Sequence, residues 1–231
     1  MKIIILAAGI GARLTSEHNE IPKCLISYNN QKNIQRIVNF FTKYNIQNND
    51  IVTVIGKEGK CWTTENKLAI RKIVPNTVIN KNNLITNNAY SLQLVLEKIE
   101  KDDLIILDGD LFLLDSIIIE KFILSKQSCI LGKVVKNNYN NKNLIRKNKN
   151  NEVINFGKNI LIDDQAIIYG PMIKLRKNDY ESFSKILFQK NFYNKNIDRV
   201  LDIFTKIVLT KVVVSDNWLN INKPSDLTKL N

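Results

Sequence analysis

The chain has 231 residues, 44% of them hydrophobic, and no apolar run reaches the roughly 18 residues that a transmembrane helix needs. This composition predicts one soluble globular domain of ordinary size. Three widely separated cysteines without CxxC spacing, Cys24, Cys61 and Cys129, argue against a disulfide framework and a thiolate zinc site. We expect them to be small buried residues.

The formal net charge of +12 has two interpretations. Clustered Lys and Arg would predict binding to nucleic-acid phosphates, but the basic residues are scattered among an excess of Asn and Ile. A compositional bias of the whole chain explains this pattern, so we expect no nucleic acid and no membrane as partner. The positive charge would still attract a nucleoside triphosphate. The apolar start KIIILAAG is short for a signal peptide and leads into Arg13, which favours a cytoplasmic protein.

The first half of the chain predicts alternating strands and helices. The continuous apolar run at 2–7 predicts a parallel strand that is buried on both faces. Helical spacing over 33–44 and a strand over 50–56 complete a βαβ unit. A helix over 91–101 precedes a strand over 103–110, which ends in DGD. Ligands bind beyond the carboxyl ends of such strands, so the ends of the first and last of these strands are candidate site positions.

The second half is predicted to continue the same sheet. Residues 136–159 are polar, basic and rich in Asn, which predicts a hairpin with a mobile tip or lid, or a merely flexible surface. A strand is predicted over 165–173, a helix over 178–190 and strand-like segments over 205–221. KPSDLTKLN predicts a short final helix. Because no repeat or linker interrupts the chain, we predict a single α/β domain, Rossmann-like, with a mixed, mainly parallel sheet flanked by helices.

The stretch LAAGIGARL at 6–14 follows the first strand and carries two glycines. It lacks the Lys-Ser/Thr pair of a P-loop, and Leu14 stands where the third glycine of GxGxxG belongs. What remains is a turn of small residues whose N–H groups can form a nest around phosphate oxygens, with Arg13 and Lys23 as cations. The candidate nest residues are Leu6, Ala7, Ala8, Gly9 and Gly11.

The pattern L-A-A-G-x-G-x-R-L followed by P-K-x-L resembles the signature of the sugar-1-phosphate nucleotidylyltransferase superfamily. In this sequence it comprises Leu6, Ala7, Ala8, Gly9, Gly11, Arg13, Leu14, Pro22, Lys23 and Leu25. The resemblance implies transfer of a nucleotidyl group from a nucleoside triphosphate to a phosphate monoester, with release of pyrophosphate. It also implies a fold of the nucleotide-diphospho-sugar transferase type over residues 1–231, Mg²⁺ as cofactor, and a product used for a cell-surface polymer or lipid.

Other segments resemble further motifs of that superfamily. DGD resembles its metal aspartate motif, which implies Asp110 as a catalytic metal ligand and Asp108 as a nucleotide-site residue. EVINFGK resembles the segment whose lysine reaches the acceptor phosphate, which implies that role for Lys158. AIIYG, which contains Tyr169, resembles the strand that follows that segment. NWLNINKPSDL is similar to W-x-E-I-D-x-P-x-D-L, which implies Asn222 as the second Mg²⁺ ligand. The implied substrate-binding residues are Lys158, Tyr169 and Trp218.

Asn222 stands where the superfamily usually has an acid. An amide carbonyl is still a hard oxygen ligand that suits Mg²⁺. The substitution removes a negative charge, as Asn220 does nearby, so metal binding would depend more on substrate phosphates. The alternatives are that Asn222 is a turn residue before the Pro224 helix start, or that the protein binds nucleotide without turnover.

The chemistry calls for charge stabilisation and needs no general base. A phosphate monoester has a second pKa of about 6, so the attacking oxygen is already ionised at neutral pH. The single histidine, His18, lies in a polar stretch and is expected to be solvated. Arg13 with the 8–11 backbone would hold the β- and γ-phosphates, Mg²⁺ on Asp110 would bridge to the α-phosphate, and Lys23 would neutralise the pentacoordinate centre.

The segment TNNAYSLQLVLE at 86–97 bears on the substrates. Sugar-specific members generally carry a Gly-rich or PLGTA segment at mid-domain. Here the pattern N-x-x-S-L, with Asn88 and Ser91, instead resembles the branch that uses CTP and phosphocholine or related phosphate and phosphonate monoesters. The alternative is that both residues only cap a helix. The candidate aromatic faces for choline are Tyr90, Phe112, Tyr169 and Trp218. The prediction is a cytidylyltransferase, with a sugar-1-phosphate nucleotidylyltransferase as the alternative and a homodimer as an open option.

Overall fold

The computed structural model describes residues 1–11, 20–135 and 143–228. Its strands are β1 (Lys2–Leu6), β2 (Ser27–Tyr28), β3 (Gln31–Lys32), β4 (Ile51–Gly56), β5 (Thr77–Asn80), β6 (Leu104–Asp108), β7 (Leu111–Leu113), β8 (Cys129–Val134), β9 (Leu144–Lys147), β10 (Val153–Gly157), β11 (Ala166–Leu175), β12 (Lys211–Val214) and β13 (Trp218–Asn220). Its α-helices are α1 (Asn33–Thr42), α2 (Thr64–Ile73), α3 (Asn88–Leu96), α4 (Ile117–Leu124), α5 (Tyr180–Leu187), α6 (Ile197–Ile207) and α7 (Pro224–Leu227).

A mixed sheet, nine-stranded within the described ranges, forms the centre of the protein. The strand order is β10-β9-β11-β6-β1-β4-β5, and β8 pairs with both β11 and β12. The four neighbours β6, β1, β4 and β5 run parallel, whereas β11 runs antiparallel to β6. Helices cover this sheet, so the predicted α/β, Rossmann-like class is confirmed.

The core lies in two layers, one on each face of the sheet. Along β1, Ile4 and Leu6 belong to one buried cluster, while Ile3 and Ile5 belong to the other. Helices α3, α5 and α6 pack in the first layer, and α1, α2 and α4 pack in the second. Burial on both faces explains why β1 is a continuous apolar run.

Several predicted elements have different bounds in the structure. Helix α3 begins three residues before its predicted start, and residues 205–207 belong to α6 instead of a strand. The apolar residues of α6 recur at helical spacing and pack on the core, which outweighs the local β-propensity of its last residues. Residues 144–157 of the predicted hairpin form β9 and β10 and join the main sheet through β11. Residues 136–142 of that hairpin lie outside the described residues.

Two groups of buried side chains bear on chemistry. All three cysteines are buried thiols, as expected, and burial raises the pKa of Cys24 to about 12. Lys174 is buried on β11, and its ammonium donates hydrogen bonds to the carbonyl oxygens of Ile123 (2.8 Å) and Ser125 (2.7 Å) at the end of α4. Desolvation lowers the pKa of Lys174. No helix in the described ranges is both long and apolar enough to cross a bilayer.

Candidate nucleotide and metal site

The loops that follow β1 and β6 meet at one edge of the sheet. Leu6 is the register partner of Asp108, and the Gly109 N–H donates a 2.8 Å hydrogen bond to the Leu6 carbonyl oxygen. A Cβ on Gly109 would lie 2.8 Å from the Ala7 Cβ, so only glycine permits this approach. The LAAG segment and the DGD segment therefore occupy the same carboxyl edge, which is where a ligand crevice is expected.

The loop at 7–11 keeps an open outer side. Gly9 is exposed, and no atom lies within 4 Å of the position where its Cβ would be. Gly11 has a φ of 65°, in the left-handed region that glycine adopts without strain. Ala8 and Leu6 are buried in the core beneath the loop, so Leu6 can offer a ligand only its main chain. The predicted phosphate nest is thus not filled by packed side chains; its binding of phosphate stays a prediction.

Lys23 is brought to the site by a short 3₁₀ turn. The turn runs over Lys23–Leu25, and the Leu25 N–H donates a 2.7 Å hydrogen bond to the Pro22 carbonyl oxygen. Cys24 and Leu25 are buried in the core and anchor the turn, while the Lys23 side chain faces Asp110. The other predicted cation, Arg13, lies outside the described residues, as do Leu14 and His18.

Lys23 and Asp110 form a half-buried ion pair. The Lys23 Nζ lies 2.7 Å from Asp110 Oδ2, and the two side chains are only 15% and 18% exposed. The same ammonium lies 3.5 Å from Asn222 Oδ1. Asp110 Oδ1 is buried and has no hydrogen-bond partner among the described residues. One oxygen of Asp110 is therefore left as an unmatched acceptor, while the Lys23 ammonium lies between its other oxygen and the amide oxygen of Asn222.

Asn222 is held in place from two sides. The Ile221 N–H donates to the Asp110 carbonyl oxygen (3.1 Å), which ties the end of β13 to the DGD loop. Asp226 Oδ2, in the first turn of α7, accepts hydrogen bonds from the N–H groups of Asn222 (2.9 Å) and Lys223 (3.0 Å). The position next to Pro224 is therefore both a helix start and part of the site, so the two interpretations of Asn222 are compatible.

These oxygens fit a hard divalent cation. Asp110 supplies a carboxylate with an unmatched oxygen, and Asn222 supplies an amide oxygen. Mg²⁺ prefers one or two carboxylates together with substrate phosphates. No group of three or more His, Cys, Asp or Glu side chains that could hold a metal occurs within the described residues.

Asp108 lies in a different environment from Asp110. Burial, and next the negative charge of Asp110, raise the pKa of Asp108 to about 8, while the hydrogen bond from Asn88 and the charge of Lys23 oppose this rise. Asn88 Nδ2 donates to Asp108 Oδ1 (3.2 Å), and Asn88 Oδ1 accepts from the Ile197 N–H (2.8 Å). Both polar groups of Asn88 are therefore used within the protein, where they link β6 to the start of α6.

Ser91 is buried inside the same segment. Its side chain is 3% exposed, and its hydroxyl accepts a 3.0 Å hydrogen bond from Asn80 Nδ2. The N-cap of α3 is Asn87, so neither Asn88 nor Ser91 is the cap. The Ser91 hydroxyl is therefore used inside the protein, which residue spacing alone does not show, and its role as a nucleotide contact stays a prediction.

The predicted acceptor residues come from three segments: Tyr169 is on β11, Trp218 begins β13 and Lys158 follows β10. Tyr169 lies near the site: burial, followed by the charges of Asp108 and Asp198, raises its pKa well above the usual value, and its ring centroid is 5.2 Å from that of Phe156. Asp198, in the first turn of α6, was missed by sequence reasoning. The helical periodicity of 197–207 could have shown the helix start, but nothing in the sequence indicates that it reaches Tyr169.

Trp218 and Lys158 are the other two predicted acceptor residues. Trp218 is 6% exposed and packs so closely over Gly170 that a Cβ there would lie 2.9 Å from the indole. Its indole therefore belongs to the core, and its contact with a substrate stays a prediction. Phe112 is likewise buried in the core. Lys158 is exposed after Gly157 at the end of β10, three strand spacings of about 4.8 Å from β6. Its contact with an acceptor phosphate stays a prediction.

The comparison with known sequences is partial. No protein-family model matches the chain. Over 114 residues the chain is 36% identical to the choline-phosphate cytidylyltransferase of Streptococcus pneumoniae (strain ATCC BAA-255 / R6). The match covers 48% of this chain and 46% of that protein, so the chain spans about half the length of the curated relative it matches.

Solved structures share the fold over almost the whole chain. The CTP:phosphocholine cytidylyltransferase from Streptococcus pneumoniae superimposes with a TM-score of 0.80 at 20% identity, covering 99% of this chain and 96% of that one. The inositol-1-phosphate CTP transferase from T. maritima gives a TM-score of 0.78 at 17% identity, with coverages of 99% and 94%. The chain therefore has the nucleotidyltransferase fold. In sequence, half of the chain is similar to a choline-phosphate cytidylyltransferase.

Proposed function

We propose that this protein transfers CMP from CTP to a small phosphate or phosphonate monoester and releases pyrophosphate. The observation that carries the proposal is the meeting of the open 7–11 loop, Lys23, Asp110 and Asn222 at one edge of the sheet. The 36% identity to a choline-phosphate cytidylyltransferase supports CTP as the donor and phosphocholine as an acceptor to test first. A reaction that consumes CTP also supports a cytoplasmic location.

Charge placement is the main task of the site in this reaction. Two anions that repel each other must be held in line while charge develops on the transferred phosphoryl group and the leaving pyrophosphate. Lys23 would release Asp110 and turn its ammonium toward the α-phosphate, where it would offset that charge. Because the acceptor monoester is already largely dianionic at neutral pH, no side chain has to remove a proton.

Asp110 and Asn222 are the residues proposed to hold Mg²⁺. When bound, the ion would supply positive charge to the phosphoryl oxygens. The unmatched Oδ1 of Asp110 and the amide oxygen of Asn222 support this assignment, since each can accept but not donate at the site. The N–H groups of the 7–11 loop, together with Arg13, are proposed to bind the β- and γ-phosphates.

The alternative is a sugar-1-phosphate nucleotidylyltransferase that uses another triphosphate. The shared fold does not decide between acceptors, because the two structures named above act, by their names, on phosphocholine and on inositol-1-phosphate. We favour CTP, because both named structures and the sequence relative use it or are cytidylyltransferases.

A substrate panel tests the proposal. Pyrophosphate release is followed with CTP, UTP, GTP, ATP and dTTP, each paired with phosphocholine, 2-aminoethylphosphonate and hexose-1-phosphates, with Mg²⁺ or with excess EDTA. We expect release with CTP and a small monoester, and loss of release with EDTA. Release with another triphosphate and a hexose-1-phosphate would establish the alternative. Thermal stabilisation by CTP without release in any pairing would instead identify a nucleotide-binding protein without turnover.

A further inference from the structure

Asn33 is a fully buried polar residue next to the loop that carries Asp110. It is 0% exposed and is the first residue of α1. Its amide nitrogen donates hydrogen bonds to the carbonyl oxygens of Gly109 (3.1 Å) and Leu111 (3.0 Å). These are the two carbonyls on either side of Asp110, so one side chain holds the backbone before and after that residue.

The main chain of Asn33 is tied to the segment that carries Lys23. The Asn33 N–H donates a 2.9 Å hydrogen bond to the Ile26 carbonyl oxygen. The Ile26 N–H in turn donates to the Lys23 carbonyl oxygen (3.2 Å) and closes the 3₁₀ turn. A single buried residue therefore links the two segments whose side chains form the ion pair at the site.

The amide of Asn33 is only partly satisfied. Its Oδ1 is buried and has no hydrogen-bond partner in the described ranges. A buried acceptor without a partner destabilises a fold, and most native structures avoid it. Because carbonyl oxygens can only accept, the NH₂ group of the amide is the part that fits between Gly109 and Leu111. Asn33 therefore leaves its own Oδ1 without a hydrogen bond, while its NH₂ group holds the DGD loop with two.

We propose that Asn33 is a positioning residue, which orients the Asp110 carboxylate toward Lys23 and toward the proposed metal site by holding the carbonyls that flank it. The expected effect of Asn33 on catalysis rests on the proposed function, whereas the effect of Asn33 on the Lys23–Asp110 pair does not. Without the amide, the loop at 109–111 gains freedom, and Asp110 spends less time against Lys23. The ammonium of Lys23 is then less protected.

The test compares Asn33→Leu with a matched control, Ser128→Ala. Leucine has the same number and branching of side-chain heavy atoms as asparagine, although it is bulkier, and it has no hydrogen-bonding group. Ser128 is also fully buried and also ties two segments, through hydrogen bonds with Asp179 Oδ2 (2.6 Å) and the Arg176 N–H (3.0 Å). Ser128 precedes β8 at the opposite edge of the sheet. Both variants can therefore lower the stability of the fold, but only Asn33→Leu should disturb the site.

The first measurement is independent of any activity. Brief acylation with acetic anhydride, followed by peptide mass spectrometry, gives the labelling of Lys23 relative to that of Lys2, which is paired with Asp50 Oδ1 at 2.6 Å and serves as internal reference. In Asn33→Leu we expect the Lys23/Lys2 ratio to rise about fivefold or more, and in Ser128→Ala to stay at the wild-type value. An unchanged ratio in Asn33→Leu, or an equal rise in both variants, would overturn the proposal.

The second measurement is steady-state turnover. For Asn33→Leu we expect kcat to fall about tenfold to a hundredfold while KM for CTP changes by less than about threefold, because orientation and not nucleotide affinity is lost. A rise in KM with unchanged kcat would contradict the positioning role. If the wild-type protein releases no pyrophosphate in any pairing, the proposed function fails, and the labelling ratio still decides the role of Asn33.

Discussion

Lys23 Nζ lies 2.7 Å from Asp110 Oδ2, although the two residues are 87 positions apart in the chain. Both lie at the carboxyl edge of the parallel strands, beside the open loop that follows β1. Because the pair is half-buried, its charges are screened less than those of a surface pair. Replacing either residue therefore also changes the surroundings of the other.

Replacing Lys23 by Met removes the cation that we place at the transferring phosphoryl group. We expect kcat to fall about a hundredfold or more, by analogy with the loss of one oxyanion donor, while the far-UV circular dichroism is unchanged. The matched control is Lys2→Met, which breaks a similar Lys–Asp pair at the opposite edge of the sheet. Turnover of Lys23→Met close to that of Lys2→Met would remove Lys23 from the mechanism.

Changing Asn222 to Asp restores a negative charge beside Asp110. Metal affinity rises with the number of charged ligands, so the Mg²⁺ concentration for half-maximal activity should fall about tenfold. Mn²⁺ binding, followed by electron paramagnetic resonance, checks the same shift without turnover. Asn45→Asp adds the same charge in the exposed loop after α1 and should have no effect. Equal Mg²⁺ dependence in wild type and Asn222→Asp would speak against Asn222 as a ligand.

Adding a methyl group at Gly109 should separate the loops that follow β1 and β6. The new Cβ would lie 2.8 Å from the Ala7 Cβ and 3.1 Å from the Ala7 Cα, and neither of these atoms can rotate away. We expect Gly109→Ala to lower the free energy of unfolding by about 1–3 kcal/mol, together with a loss of activity. Denaturation in urea measures the stability, and a wild-type midpoint would show that the loops tolerate the separation.

Gly9 offers the opposite case on the neighbouring loop. A Cβ at Gly9 would meet no atom within 4 Å, so Gly9→Ala should leave the unfolding free energy unchanged within about 0.5 kcal/mol. The methyl group would instead project into the space proposed for phosphate. We therefore expect a higher KM for CTP without loss of stability. An unchanged KM would indicate that the triphosphate binds away from Gly9.

The buried Lys174 predicts a pH dependence of stability. Its pKa is lowered in the folded chain by desolvation, so between the folded pKa and the unfolded value of 10.5 the unfolded chain binds more protons. Stability contributed by this group therefore rises with pH across that window and is least below the folded pKa. In urea unfolding from pH 7 to 10.5, wild type should gain stability relative to Lys174→Met. A flat or falling difference would contradict the lowered pKa.

Local pattern was enough to place the two ends of the site. The apolar run of β1 and the DGD at the end of β6 predicted parallel strands, and the carboxyl ends of parallel strands share an edge. The structure confirms that Leu6 and Asp108 are register partners. Ser91 and Trp218 were assigned to the site from their motifs, yet both are buried in the interior. A motif shows which residue types recur, but not which face of a helix or strand is covered.

The sequence alone determines that this chain is an α/β protein with a loop of small residues after its first strand. Apolar runs and glycine turns depend only on a few neighbouring residues, so they can be identified without the tertiary structure. Tertiary structure alone decided that Lys23 pairs with Asp110, that Asn33 holds the carbonyls on both sides of that aspartate, and that Asp198 acts electrostatically on Tyr169. These contacts join residues far apart in the chain. They depend on strand order and helix docking, which the packing of the whole core settles.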